Sequence, residues 1–118
     1  MRISDLNGDV ALVAFWFPSC ATCREELPQL EPLYQHYREA GFRVVAIDVY
    51  GDRSGGERFV SDKKLSYTFL DGNLEIASDY GVTATPTMFL IDRDGGIVRS
   101  FNRLGPDVEN EIKKLLHD

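Results

Sequence analysis

Cysteine and histidine are nearly absent from this chain, with two of each among 118 residues. A disulfide framework needs several cysteines, and a structural zinc site needs four ligands. The histidines, His36 and His117, also stand at spacings unlike a zinc knuckle or finger, so no metal is expected. The fold must then rest on an apolar core, for which 43% hydrophobic residues in one domain-sized chain suffice. Positive charge is scarce as well: 13 Lys and Arg against 19 Asp and Glu leave a net charge of −6. That balance argues against a nucleic acid or an anionic membrane surface as partner, and the dispersed acids read as solubility. No apolar run reaches the roughly 20 residues of a membrane-spanning helix. The opening Met1 to Gly8 lacks the apolar centre of a signal peptide. The chain is thus either cytosolic or the mature domain of a longer exported precursor. Repeats, low-complexity segments and linkers are missing too, so residues 1–118 read as a single domain.

What is present is concentrated. The only two cysteines form Cys20-Ala21-Thr22-Cys23, directly after the apolar run Val10 to Phe17 and before the helix-compatible Arg24-Glu25-Glu26-Leu27. This pattern reads as a buried strand feeding a helix whose first turn carries both sulfurs. Unpaired N–H groups and the positive end of the dipole at a helix start favour the thiolate, the form that attacks disulfides. Cys20, at the outer edge, is the expected nucleophile. Cys23, one turn further in, is placed to attack a mixed disulfide on Cys20 and release the substrate. A purely structural staple would gain little from so short a loop, and a redox dithiol is the reading the pattern favours.

The same reasoning runs along the chain. A helix bearing Leu27, Leu30, Leu33, Tyr34 and Tyr37 on one stripe follows the cysteines, kinked by Pro28 and Pro32 and ended by Gly41. Phe42 to Tyr50 is a second strand, which makes Val10 to Tyr50 a β-α-β unit with a right-handed crossover. Gly51 to Gly56 reads as a loop, Glu57 to Lys64 as a short helix, Tyr67 to Leu70 as a short strand, and Leu74 to Tyr80 as a helix closed by Gly81. Thr87 to Ile91 and Ile97 to Phe101 are strands joined by an Asp92-Arg93-Asp94-Gly95-Gly96 hairpin, and Gly105-Pro106 opens a last helix. The expected class is α/β, a central mixed sheet flanked by helices.

Several of these residues together resemble a known family. They are Phe15-Trp16 ahead of the cysteine pair, Pro28 five residues past Cys23, Thr85-Pro86-Thr87 before a strand, and the Asp94-Gly95-Gly96 turn. The combination is similar to the thioredoxin superfamily, specifically its TlpA/ResA-like branch, related to the AhpC/TSA proteins, and runs from about Leu6 to the C-terminus. Gly51 to Gly81 looks like the strand and helix that this branch inserts between the β-α-β unit and the cis-proline strand. The resemblance implies a thiol-disulfide oxidoreductase that acts on protein disulfides as a reductase and is recharged by an upstream redox donor. It needs no cofactor, works as a monomer outside the cytoplasm, and can carry a membrane anchor in its full-length precursor. The N-terminal strand or hairpin of family members is mostly missing here, as trimming would explain.

The resemblance also assigns roles. By residue type alone Pro86 would be a trans strand-start proline. In the family the matching proline is cis and packs on the dithiol, while the preceding residue, here Thr85, pairs with an extended substrate. Ser19, Ala21 and Thr22 complete the expected substrate-binding set with Trp16, which is expected to underlie the site, although core packing alone would also account for an aromatic at a strand end. Ser19 replaces a usual Trp, and Ala14 replaces the buried Asp or Asn that would handle the Cys23 proton. Asp52 is therefore the candidate proton relay, with Glu25 as fallback. Arg24 and Glu25 otherwise read as solvated helix charges. Two other functions compete: a peroxiredoxin-like thiol peroxidase, suggested by Phe17-Pro18 before a cysteine-bearing helix, and a non-enzymatic redox-sensing module on the same fold.

Overall fold

A computed structural model describes residues 3–117; Met1 and Arg2, part of the segment read above for a signal peptide, lie outside the described residues. Five strands form one sheet: β1 (Val10–Trp16), β2 (Phe42–Asp48), β3 (Thr68–Asp71), β4 (Thr87–Ile91) and β5 (Ile97–Phe101), in the order β3-β2-β1-β4-β5. The first three run parallel, while β4 is antiparallel to β1 and β5 to β4. The sheet is therefore mixed, as the sequence implied. Every residue of β1 is buried, as a central strand covered on both faces requires.

Alternation along the strands sorts the core into two layers. Val10, Leu12, Ala14 and Trp16 face one side with Val44, Ala46 and Phe59, whereas Ala11, Val13 and Phe15 face the other with Val45, Ile47 and Ala77. The first layer lies under α1 (Ala21–Glu26), α2 (Leu30–Tyr37), α3 (Arg53–Lys63) and α5 (Pro106–His117), and the second under α4 (Leu74–Asp79).

The helix expected to kink is in fact divided. Leu27–Gln29 form a 3-10 turn between α1 and α2, because Pro28 has no N–H to give the α-ladder. Pro32 is tolerated inside the first turn of α2, where the N–H groups have no intrahelical partner. Gly41, at φ 97°, ends the segment as expected.

A second correction concerns residues 51–56. The two adjacent glycines Gly55 and Gly56 suggested a loop, yet α3 begins at Arg53. Asp52 is its N-cap, with Oδ1 accepting from Gly55 N at 3.0 Å, and this cap together with Phe59 buried in the core offsets the poor propensity of the glycines. The stretch from Gly51 to Gly81 folds as α3-β3-α4, and β3 extends the sheet beside β2.

Candidate functional site

β1 delivers the chain to the site. After Trp16 the backbone turns at Phe17-Pro18-Ser19, closed by Cys20 N donating to Phe17 O at 3.0 Å, and Cys20 becomes the N-cap of α1. Its Sγ accepts from Cys23 N at 3.2 Å, so the sulfur takes the place of a capping oxygen and meets one of the unpaired N–H groups of the helix start. Cys20 and Cys23 are joined as a disulfide with Cα atoms 5.2 Å apart. Cys20 is 7% exposed and Cys23 fully buried, so of the two residues only Cys20 reaches the surface. Ala21 and Thr22 between them are exposed and uncharged.

The second wall comes from the loop before β4. The Thr85–Pro86 peptide bond is cis. Thr85 Oγ1 donates toward Cys20 Sγ at 3.5 Å, and its carbonyl oxygen lies 3.8 Å from the same sulfur, within reach of the reduced thiol. Thr87, read above only as part of the motif before β4, and Asn102, which the sequence reading passed over, hold this loop: Thr87 Oγ1 donates to Ala84 O at 2.6 Å, and Asn102 Nδ2 donates to Thr87 Oγ1 at 3.1 Å and to Pro86 O at 3.3 Å. Asn102 follows β5, fifteen positions from Thr87, so no local spacing could have revealed it.

Trp16 lies beneath the surface of the site, not on it. It is 1% exposed, with its ring packed on Phe59 at 5.1 Å and edge-on to Phe69 at 5.6 Å. It supports the dithiol turn from beneath. Ser19 lies at the surface, lining a hollow of about 250 Å³ with Pro18, Arg24, Asp52 and Arg58. Arg24 is committed elsewhere: Nη1 donates to Pro18 O at 2.9 Å and the guanidinium lies 5.0 Å from the Phe59 ring centroid.

No carboxylate sits at the position of Ala14, which is fully buried between Ala46 and Met88. Asp52 is exposed, and among the described residues no hydrogen bond joins it to either cysteine; its Oδ1 accepts from Gly55 N. Glu25 is exposed as well. Glu26, which the sequence reading did not single out, lies one helical turn beyond Cys23. Its Oε1 accepts from Leu104 N at 2.7 Å, while Oε2 is buried without a partner among the described residues. The i, i+3 spacing from Cys23 was the available signal.

The fold and this geometry have counterparts. The family model described as Redoxin matches residues 1–116. Thiol-disulfide oxidoreductase ResA of Bacillus anthracis is 30% identical over 118 residues, covering 98% of this chain and 68% of that protein. ResA of Halalkalibacterium halodurans is 31% identical over 100 residues, covering 84% of this chain and 57% of that protein. The thioredoxin domain of a thiol-disulfide oxidoreductase from Bacteroides vulgatus superposes with a TM-score of 0.87 at 25% identity, covering 96% of this chain and 83% of that one. The chain spans about two thirds of the length of the first of these relatives and less of the second. With the paired cysteines at a helix start, these likenesses establish disulfide exchange through a dithiol. The chain belongs to the Redoxin family and, within the thioredoxin superfamily, to its TlpA/ResA-like branch of thiol-disulfide oxidoreductases.

Proposed function

We propose that the chain reduces protein disulfides, with Cys20 as the attacking and Cys23 as the resolving sulfur. The observation that carries this reading is the difference between the two sulfurs: Cys20 is the partly open one, facing Thr85, while Cys23 is sealed behind it. In the reduced protein the Cys20 thiolate attacks one sulfur of a substrate disulfide, forms a mixed disulfide and expels the other substrate thiolate. Cys23 loses its proton and attacks Cys20, expelling the second substrate thiolate and closing the internal bridge. The substrate disulfide gains two electrons and two protons, and an upstream dithiol donor returns them to the enzyme. Thr85 offers its backbone to an extended substrate, with Pro86 beneath it and Ser19, Ala21 and Thr22 on the opposite rim.

We read the direction as reducing from the surroundings of Cys20. Strongly oxidising exchangers stabilise their thiolate heavily. Here the intervening dipeptide carries no charge and Arg24 is held by Pro18 O and Phe59. All parts of the site come from one chain, so a monomer suffices. By likeness to the TlpA/ResA branch we place the protein outside the cytoplasm, in a periplasm or at the outer face of a membrane, and read residues 51–81 as the inserted segment of that branch. Incubating the reduced protein with an insulin disulfide and, separately, with hydrogen peroxide tests the function. One disulfide reduced per dithiol, with peroxide consumed far more slowly, is the expected result; the reverse order of rates would make the chain a peroxidase.

The proton of Cys23 must go to a base. With Ala14 inert, we assign that role to Asp52, which borders the hollow beside Ser19. Asp52→Asn preserves the helix cap, since Asn caps about as well as Asp, and removes only the carboxylate. Release of the mixed disulfide near neutral pH should slow by about a hundredfold, the lower end of the range for a lost general base, while the first attack by Cys20 is unchanged. Resolution at the parental rate in Asp52→Asn, with slow resolution in Glu26→Gln, would transfer the role to Glu26.

A further inference from the structure

Nε1 of Trp16 and Oδ2 of Asp48 are buried and have no hydrogen-bond partner among the described residues. Their side chains are neighbours. Trp16 and Asp48 stand opposite each other in the parallel register of β1 and β2, and Asp71 of β3 stands opposite Asp48, so alternation puts all three on one face of the sheet. Asp48 is 3% exposed, and its Oδ1 accepts from Tyr50 N at 2.9 Å, which leaves Oδ2 alone. Trp16, Asp48 and Asp71 line a cleft of about 200 Å³ between the ends of these strands and α3. Arg53 and Glu57 of α3 line it as well, with Arg53 Nε 3.3 Å from Glu57 and 3.7 Å from Asp71. Neither cysteine is among the described residues of its lining, and nor is Thr85, so the cleft is separate from the dithiol site.

We propose that this cleft is a second binding site, for a small organic cation whose ammonium group and hydroxyl oxygen stand on neighbouring carbons: an amino alcohol. A buried donor and a buried acceptor left unpaired side by side are costly, and a ligand that supplies both partners removes the cost. A pure donor such as guanidinium would satisfy Asp48 and leave the indole N–H unpaired. A pure acceptor such as a carboxylate would satisfy Trp16 and be repelled by Asp48. Charge decides between a neutral and a cationic ligand carrying both groups. Three acidic side chains, Asp48, Glu57 and Asp71, line the cleft against one basic side chain, Arg53. Arg53 is already drawn to Glu57 and Asp71, and no ion pair joins it to Asp48 among the described residues. A metal ion fits less well, because among the described residues no three acidic, histidine or cysteine side chains converge as a metal site requires. The size is also suitable: an apolar cavity of about 150 Å³ admits a benzene ring, so this cleft takes a ligand of about four to eight heavy atoms.

Trp16 is the single tryptophan of the chain, so its emission reports occupancy of the cleft without a label. The oxidised full chain is titrated at neutral pH and constant ionic strength with ethanolamine, ethylamine and ethylene glycol. Ethanolamine should change the emission saturably. Its half-saturation should lie at least about fivefold below that of ethylamine, which has no acceptor for Trp16, and at least about tenfold below that of ethylene glycol, which has no charge for Asp48. Asp48→Asn keeps the acceptor for Tyr50 N and removes the charge, and should raise the half-saturation for ethanolamine at least about tenfold. Gly56→Leu tests the cleft by filling it. A Cβ at Gly56, which also lines the cleft, would stand 3.8 Å from Trp16 Cζ2, an ordinary contact, and leucine suits a helix better than glycine. This variant should lose the response with an unchanged far-UV circular dichroism spectrum, and it decides alone if Asp48→Asn fails to fold. If ethanolamine gives no saturable change, if the three ligands act alike, or if the response survives in either folded variant, solvent alone satisfies the two atoms and the site is refuted. Disulfide reduction plays no part in the measurement, so either result leaves the reductase reading as it stands.

Discussion

Cys23→Ser is expected to convert the protein into a trap: mixed with a disulfide-bonded protein it should accumulate a covalent complex through Cys20 that persists until an added thiol releases it. Cys20→Ser should form no complex and lose at least about 10³-fold in disulfide reduction, since an un-ionised hydroxyl does not replace a thiolate nucleophile. The asymmetry has a structural origin. Cys20 caps α1 with its sulfur on Cys23 N at 3.2 Å, an arrangement that strengthens when the sulfur becomes anionic, because charge-assisted hydrogen bonds are roughly twice as strong as neutral ones. Cys23 has no route to a bulky partner through its buried position. Its single task is the intramolecular attack, for which a Cα separation of 5.2 Å is already within bonding range. Mass spectrometry of the trapped complex reads the linkage directly. A complex joined through Cys23 in the Cys20→Ser protein, and none through Cys20 in Cys23→Ser, would reverse the order of attack.

Much of this site was legible because its parts are local or carry their own chemistry. The dithiol, the apolar strand before it and the turn at Asp92 to Gly96 are short-range patterns. Gly41 and Gly81 mark helix ends by the positive φ they adopt. The strands Thr87–Ile91 and Ile97–Phe101 fall at the residues expected. The start of α3 escaped notice because its signal, the Asp52 cap, competes with two glycines that ordinarily end helices. Glu26 and Asn102 escaped for a different reason. Each works through a long-range backbone contact, Leu104 N for the first and Pro86 O for the second, and such pairings exist only once the chain has folded. Trp16 was expected both beneath the site and among the substrate contacts, two depths that the strand pattern does not separate, and it lies buried at 1% exposure. A strand end can stop at the surface or continue beneath a neighbouring helix, and it is Phe59, from a helix that the sequence reading started late, that covers it.

That depth makes Trp16 the side chain whose loss should cost the most stability of any near the site. It is 1% exposed, ends the central strand, and packs against Phe59 of α3 and edge-on against Phe69 of β3. It thereby fastens the segment 51–81 to the strand that leads into the dithiol. Trp16→Ala removes this packing and leaves a cavity that three separate elements would have to move to fill. Truncations of this kind cost about 3 to 5 kcal/mol, against a total stability of roughly 5 to 15 kcal/mol for a domain of ordinary size. The variant should therefore unfold at a much lower urea concentration than the parent with a similar dependence on urea, whereas Trp16→Phe, which keeps a ring in the same place, should lose less than half as much. Disulfide reduction offers a second reading of the same change. If Trp16 acts only by supporting the turn from below, the folded fraction of Trp16→Phe should retain the parental preference among disulfide substrates. A large change in that preference with little change in stability would instead mean that the indole reaches the substrate.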